Sequence, residues 1–318
     1  MGNRSSAPAE AECKVAIPRV FPSSADYRVE VARQTYVFFE DSRPDAPAGT
    51  TIAICLPGIG DTRRQFRLLA PLLHDRLGFR VLLGDLRGFG DSTSFEDDTE
   101  HTYSAYSPES VASDVTSLME KLGAADPTCS FMLLGNSLSA GSMVLAAAAA
   151  AKMAETGPNI TAVALLGPIL RDSPMDVWFR PLSHLLFRPL YGASIWASYY
   201  KTLYPGKIPS DFEAELEILR THLKTQKGNI MNVGRFVRAS KAHVESSIRD
   251  LGKQPALHVL AFFGKKDPDY ANIDAEMEWF TAAVPHARLF TDDEGGHYPH
   301  LENPERVITA IAESFLGK

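Results

Sequence analysis

The chain has 318 residues, 45% of them hydrophobic and 22% charged, with a formal net charge of −7. That is enough apolar material for a large core in one or two domains. The acidic balance disfavours a nucleic-acid partner, which needs a basic face to neutralise phosphates. Three scattered cysteines, Cys13, Cys55 and Cys129, exclude a disulfide framework or zinc cluster and fit a reducing, cytoplasmic setting.

Residues 1–24 mix Ala, Ser, Pro and charge without periodicity and read as a flexible tail. They lack the apolar core of a signal peptide. Met1-Gly2-Asn3-Arg4-Ser5-Ser6 fits a short N-myristoylation pattern at Gly2, but no polybasic patch follows to supply a second membrane signal. No run approaches the roughly 20 apolar residues of a membrane span, so stable membrane insertion is not expected.

Strand-like runs then appear at Tyr27–Val31 and Thr35–Phe39. Thr51–Leu56, Arg80–Leu83, Phe131–Leu134, Ile160–Leu166 and His258–Phe263 are short and apolar on both faces, which suits strands of a parallel sheet covered on both sides. Cys55 falls inside one of them and reads as a small buried hydrophobe. Ser107-Pro108-Glu109 opens a helix with a cap, a proline and a first-turn carboxylate. Val111, Val115, Leu118, Met119 and Leu122 form its apolar face, and Gly123 is expected to stop it. An alanine-rich helix follows residue 137. Asn159-Ile160-Thr161 matches a glycosylation acceptor that a chain without a secretory signal leaves unused. Asn303-Pro304-Glu305 opens the last helix, with Val307, Ile308, Ile311 and Phe315 inward.

Alternating strands and helices predict a doubly wound α/β fold. The alternation breaks between about Leu170 and Pro255, an aromatic-rich stretch with helical character. It is expected to form a helical cap, 171–255, inserted into a core made of 25–170 and 256–318. Most of its aromatics should simply pack it onto the body. Trp178, Phe187, Tyr191 and Trp196 are the candidates for lining a substrate pocket.

Chemistry concentrates in five loops. Gly135-Asn136-Ser137-Leu138-Ser139 follows an apolar strand and opens a helix, the setting in which a serine is presented as a nucleophile, and the glycine before the turn is expected to tolerate its strained backbone. The others are Leu56-Pro57-Gly58-Ile59-Gly60-Asp61, Asp85-Leu86-Arg87-Gly88-Phe89-Gly90-Asp91-Ser92, Phe263-Gly264-Lys265-Lys266-Asp267-Pro268 and Gly295-Gly296-His297-Tyr298-Pro299-His300-Leu301-Glu302. In their order and spacing these segments resemble the oxyanion loop, the loop after the fourth strand, the nucleophile elbow, the acid turn and the histidine loop of the α/β-hydrolase superfamily. The resemblance covers about residues 27 to 318. It implies Ser137 as nucleophile, His297 as general base and Asp267 as the acid that orients it, the order in which this fold supplies its triad. A serine hydroxyl needs such a base, and an imidazole can accept its proton and return it to the leaving group.

The backbone N–H groups of Leu138 and Ile59 are the expected oxyanion donors. His300 is assigned a structural role, Asp269 is the reserve for Asp267, and Arg87 and Asp91 are read as structural. Two positions depart from the common pattern. Pro57 stands where many members carry His, and Ser139 replaces the last glycine of the elbow. Haloalkane dehalogenases and epoxide hydrolases, which use aspartate at the elbow, are disfavoured. The expected function is a cofactor-independent serine hydrolase acting on an ester, thioester or C–C bond of a small hydrophobic substrate, with no metal. The alternatives are a non-catalytic ligand-binding member of the fold, or a lyase or acyltransferase built on it.

Overall fold

Eight strands form one sheet in the computed structural model, which describes residues 16–32, 35–93, 104–153, 156–225 and 229–316. They are β1 (Ala25–Ala32), β2 (Thr35–Asp41), β3 (Thr51–Leu56), β4 (Arg80–Gly84), β5 (Ser130–Asn136), β6 (Ile160–Leu166), β7 (His258–Gly264) and β8 (Arg288–Asp292), arranged β1-β2-β4-β3-β5-β6-β7-β8. β1 and β2 run antiparallel to their neighbours and the rest are parallel. Gly2 and Cys13 lie outside the described residues.

The central strands are apolar throughout because both faces are covered. Ile52 and Ile54 of β3, Leu133 of β5, Val163 of β6 and Phe263 of β7 join one cluster. It includes side chains of α2 (Pro108–Ala125), α3 (Leu138–Lys152) and α8 (Ala242–Gly252). The alternate residues Ala53, Cys55, Leu134, Ala164 and Phe262 pack on the other face, against α1 (Ala70–Leu77) and the last helix (Pro304–Leu316). Cys55 is fully buried there, and burial pushes its thiol pKa well up, so it acts as a hydrophobe.

Three expectations need correction, and one strand was not expected. α2 does not stop at Gly123 but runs to Ala125, and Asp126, in extended backbone before Pro127, ends it. The tail expected over 1–24 is anchored from Ile17 onward. Ile17 is buried, its carbonyl accepts from Arg63, and Glu40 accepts from the N–H groups of Val20 and Phe21. β8 went unpredicted because Arg288 and Asp292 bracket only three residues. Finally, the segment 171–255 is not one unit. α4 (Asp176–Leu186), α5 (Gly192–Thr202), α6 (Phe212–Thr225) and α7 (Asn229–Arg238) precede α8, whose Val244, Ile248 and Leu251 are buried in the core and whose Val244 faces Gly141 of α3. α8 is thus the ordinary crossover helix between β6 and β7.

Candidate active site

Ser137 sits on the turn joining β5 to α3, with φ 57° and ψ −125°. It is the one non-glycine residue with positive φ among the described residues. A conformation of this kind costs about 1–3 kcal/mol and persists only where the surroundings fix it. Here the Ser137 N–H donates to the Leu166 carbonyl at 3.0 Å, while its carbonyl accepts from Ala140 and Ile169 at 3.1 and 3.2 Å. The preceding glycine serves a different purpose from the one expected. Gly135 has no positive φ, but a Cβ on it would lie 2.5 Å from the Ser139 carbonyl oxygen, so it is needed for close approach of helix to strand. Ser139 is fully buried and its hydroxyl donates to the Pro57 carbonyl at 2.5 Å. The serine that replaces the usual glycine therefore ties the elbow to the loop after β3.

That loop is braced from several sides. Gln65 accepts from the Gly58 N–H at 3.0 Å and donates to Asp61 Oδ2 at 2.6 Å, and Tyr298 Oη donates to the same oxygen at 3.0 Å. With Pro57 lacking an imidazole, Gln65 supplies the bracing. Burial lifts the Asp61 carboxyl to about 7, against hydrogen bonds from Tyr298 and Tyr200 that pull it down. A side chain at Gly58 would meet Asn136 Oδ1 at 2.9 Å and Ser137 Cβ at 3.1 Å. Among the described residues no acceptor takes the N–H of Ile59 or Leu138. Leu138 opens α3, so its N–H is one of the orphan donors of a helix start. Both residues lie beside Ser137 on one cavity.

His297 and Asp267 come from loops at the carboxyl ends of β8 and β7. Both are buried, with Nδ1 to Oδ2 at 2.7 Å. The backbone fixes the ring: His297 N–H donates to Leu203, and its carbonyl accepts from Asn136 Nδ2 at 3.1 Å. Asn136, the residue before the elbow serine, thus ties the elbow to the histidine loop, a role sequence reading did not assign. Asp269 Oδ2 lies farther from the imidazole, at 3.5 Å, and its N–H donates to Asp267 Oδ1 at 2.9 Å. Tyr199 in turn donates to Asp269. The His297 Nδ1 and one carboxylate oxygen from each of Asp267 and Asp269 lie within 4.8 Å of one another, with the imidazole hydrogen-bonded to Asp267. Burial alone would lower the His297 pKa, but the carboxylates of Asp267, Asp269 and Asp61 outweigh it and lift it to about 9. His300 is wholly buried and stacked on Phe66 at 4.8 Å, with neither ring nitrogen bonded among the described residues. Burial, then His297 and Arg67, holds it down near 3, so it stays neutral.

Ser137 and His297 open onto the same cavity, of about 1090 Å³. Trp178, Phe187 and Trp196 line it, as does Tyr199, which was not among the candidates. Tyr191 does not line it: its hydroxyl donates to the Leu185 carbonyl and its ring faces outward. Trp196 covers the loop after β3, where a Cβ on Gly60 would lie 2.8 Å from its indole nitrogen. Arg87 makes a two-bond pair with Asp114 at 2.6 Å. Asp91 joins Asp85 and Glu40 around the buried Arg63, a charge cluster that the sequence did not announce.

Several solved structures share this architecture. An esterase from Thermogutta terrifontis aligns over 92% of this chain and 98% of its own, with 22% identity and a TM-score of 0.63. An esterase from a Rhodococcus species aligns over 93% and 99%, with 17% identity and a TM-score of 0.67. A 2-hydroxy-6-oxo-6-phenylhexa-2,4-dienoate hydrolase, also from Rhodococcus, aligns over 92% and 99%, with 20% identity and a TM-score of 0.68. No curated protein matches the chain in sequence. The model of the alpha/beta hydrolase family matches residues 53–310, and with the sheet order and loop placement described above it shows that the chain belongs to that family.

Proposed function

We propose that the protein is a serine hydrolase that cleaves an ester of a hydrophobic substrate through an acyl-enzyme. The observation that carries the reading is the strained Ser137 on the same cavity wall as the buried His297–Asp267 pair. In this scheme Nδ1 of His297 faces Asp267, leaving Nε2 to take the Ser137 proton as Oγ attacks the carbonyl carbon. The developing oxyanion is received by the N–H groups of Ile59 and Leu138. His297 then protonates the departing alkoxide, and water repeats the sequence in reverse to release the acid. The balance closes with serine, imidazole and water alone. α4 to α7 act as the cap over the cavity, and α8 belongs to the core. Thioester and C–C substrates use the same groups.

A fluorophosphonate probe tests this directly. Stoichiometric labelling of Ser137 is expected, with Ser137→Ala abolishing labelling and lowering kcat for short p-nitrophenyl esters by about 10⁴-fold or more. Labelling that persists in Ser137→Ala, or ester turnover that survives it, would overturn the proposal.

A further inference from the structure

α4 is amphipathic the wrong way round. Its inward stripe is polar: Asp176 accepts from Lys241 at 3.0 Å, Arg180 pairs with Asp172 at 2.6 Å, and the buried Ser183 hydroxyl accepts from Arg238 at 3.1 Å. Trp178, Leu182 and Leu185, spaced i, i+4 and i+7, form the opposite stripe and face outward. Val177, Trp178, Leu185 and Leu190 are 71%, 73%, 60% and 91% exposed. Among the described residues, large exposed apolar side chains are concentrated between Met175 and Ile208, with Met153 and Met231 the two outside; Met175, Trp178, Phe179, Leu182, Ile195 and Tyr199 border the cavity, whereas Val177, Leu185, Leu190, Tyr191 and Ile208 lie away from it. A helix that turns its apolar side to solvent is built to be covered.

Charge indicates what covers it. From Val177 to Ser210 a chain of net charge −7 carries no Asp or Glu but holds Arg180, Arg188, Lys201 and Lys207. Arg180 is committed to Asp172 and Lys201 to Glu213, whereas Arg188 and Lys207 are exposed and make no ion pair among the described residues. A second copy docked about a two-fold axis would set these cations against their own kind. The apolar face also continues into the cavity, since Trp178 and Leu182 both project outward and line it. We propose that the α4–α5 face docks peripherally on an anionic lipid bilayer, with the α4 apolar stripe in the acyl-headgroup boundary and Arg188 and Lys207 on lipid phosphates. The cavity then faces the source of an apolar acyl substrate. That consequence rests on the hydrolase reading; the docking does not.

The test uses the full chain carrying Ser137→Ala and prepared without N-terminal acylation, so that neither lipid hydrolysis nor an added acyl chain contributes. It is sedimented with vesicles of phosphatidylcholine, alone or mixed with phosphatidylglycerol. Binding to the mixed vesicles should be tighter by about tenfold or more, and should weaken with salt. Val177→Ser/Leu185→Ser/Leu190→Ser, none of which lines the cavity, should reduce that binding by about tenfold or more. In the Ser137 background the same triple variant should melt at the parent temperature and hydrolyse a short soluble ester at the parent rate. Absence of binding to mixed vesicles, equal binding by the triple variant, or a dimer that the three substitutions abolish would each overturn the proposal. Vesicle binding without probe labelling of Ser137 would instead remove the hydrolase reading and leave the docking standing.

Discussion

At the scale of single residues, the proposed chemistry depends on the protonation of His297. Three carboxylates lift its pKa from 6.5 to about 9, so the free protein near neutrality holds the ring mostly as imidazolium. A general base must be neutral, so kcat/KM should rise with pH, with a midpoint above the ordinary histidine range. Asp269→Asn removes one of the charges that retain the proton and should move that midpoint down, while Asp267 keeps the ring oriented. A pH–rate series on wild type and Asp269→Asn decides it; identical midpoints would remove Asp269 from the electrostatics. His300 is a different case, a buried ring with two unbonded nitrogens. His300→Phe keeps the stacking on Phe66 and removes unmet polar atoms, so denaturant unfolding should show it neutral or stabilised by about 1 kcal/mol.

At the scale of elements, two glycines of similar sequence appearance behave oppositely. Gly135 has helix backbone atoms within 2.5–2.7 Å of where a Cβ would stand, whereas Gly123, within α2, has nothing within 4 Å. Gly135→Ala should therefore cost on the order of 3 kcal/mol or more, or prevent folding. Gly123→Ala should stabilise α2 by about 0.5–1 kcal/mol. Urea melts of the pair measure both, and equal effects would contradict the close packing of the elbow. Sequence reading placed the elbow through its strand–turn–helix context, but it assigned the backbone strain to the glycine. Only the coordinates show Ser137 holding the positive φ while Gly135 makes room for α3.

At the scale of the whole molecule, the insertion between β6 and β7 divides into layers of different stability. α8 buries Val244, Ile248 and Leu251 against the helices of the sheet, while α4 exposes most of its apolar side chains. Native-state hydrogen exchange should show α8 protected to nearly the same free energy as α3, with α4 opening at much lower cost. Similar protection of α4 and α8 would refute that division. The alternation of apolar strands and capped helices was legible in the chain because local periodicity and cap chemistry report burial directly. Ser137 and Asp267 were legible because each follows an apolar strand, whereas the histidine loop, whose strand β8 went unpredicted, was placed through the resemblance of Gly295-Gly296-His297 to the family's histidine loop.

The rest required the tertiary structure. Asn136 reaching the His297 carbonyl, Gln65 replacing a missing imidazole behind Gly58, and Ser139 bonding Pro57 are contacts across separate loops, and no local pattern encodes them. The outward stripe of α4 is the sharpest instance. Trp178, Leu182 and Leu185 have the spacing of a core-facing helix, and a sequence states that such a face exists. Which way it points was decided by where Asp172, Lys241 and Arg238 lie, because they give the opposite, polar stripe partners on the inside.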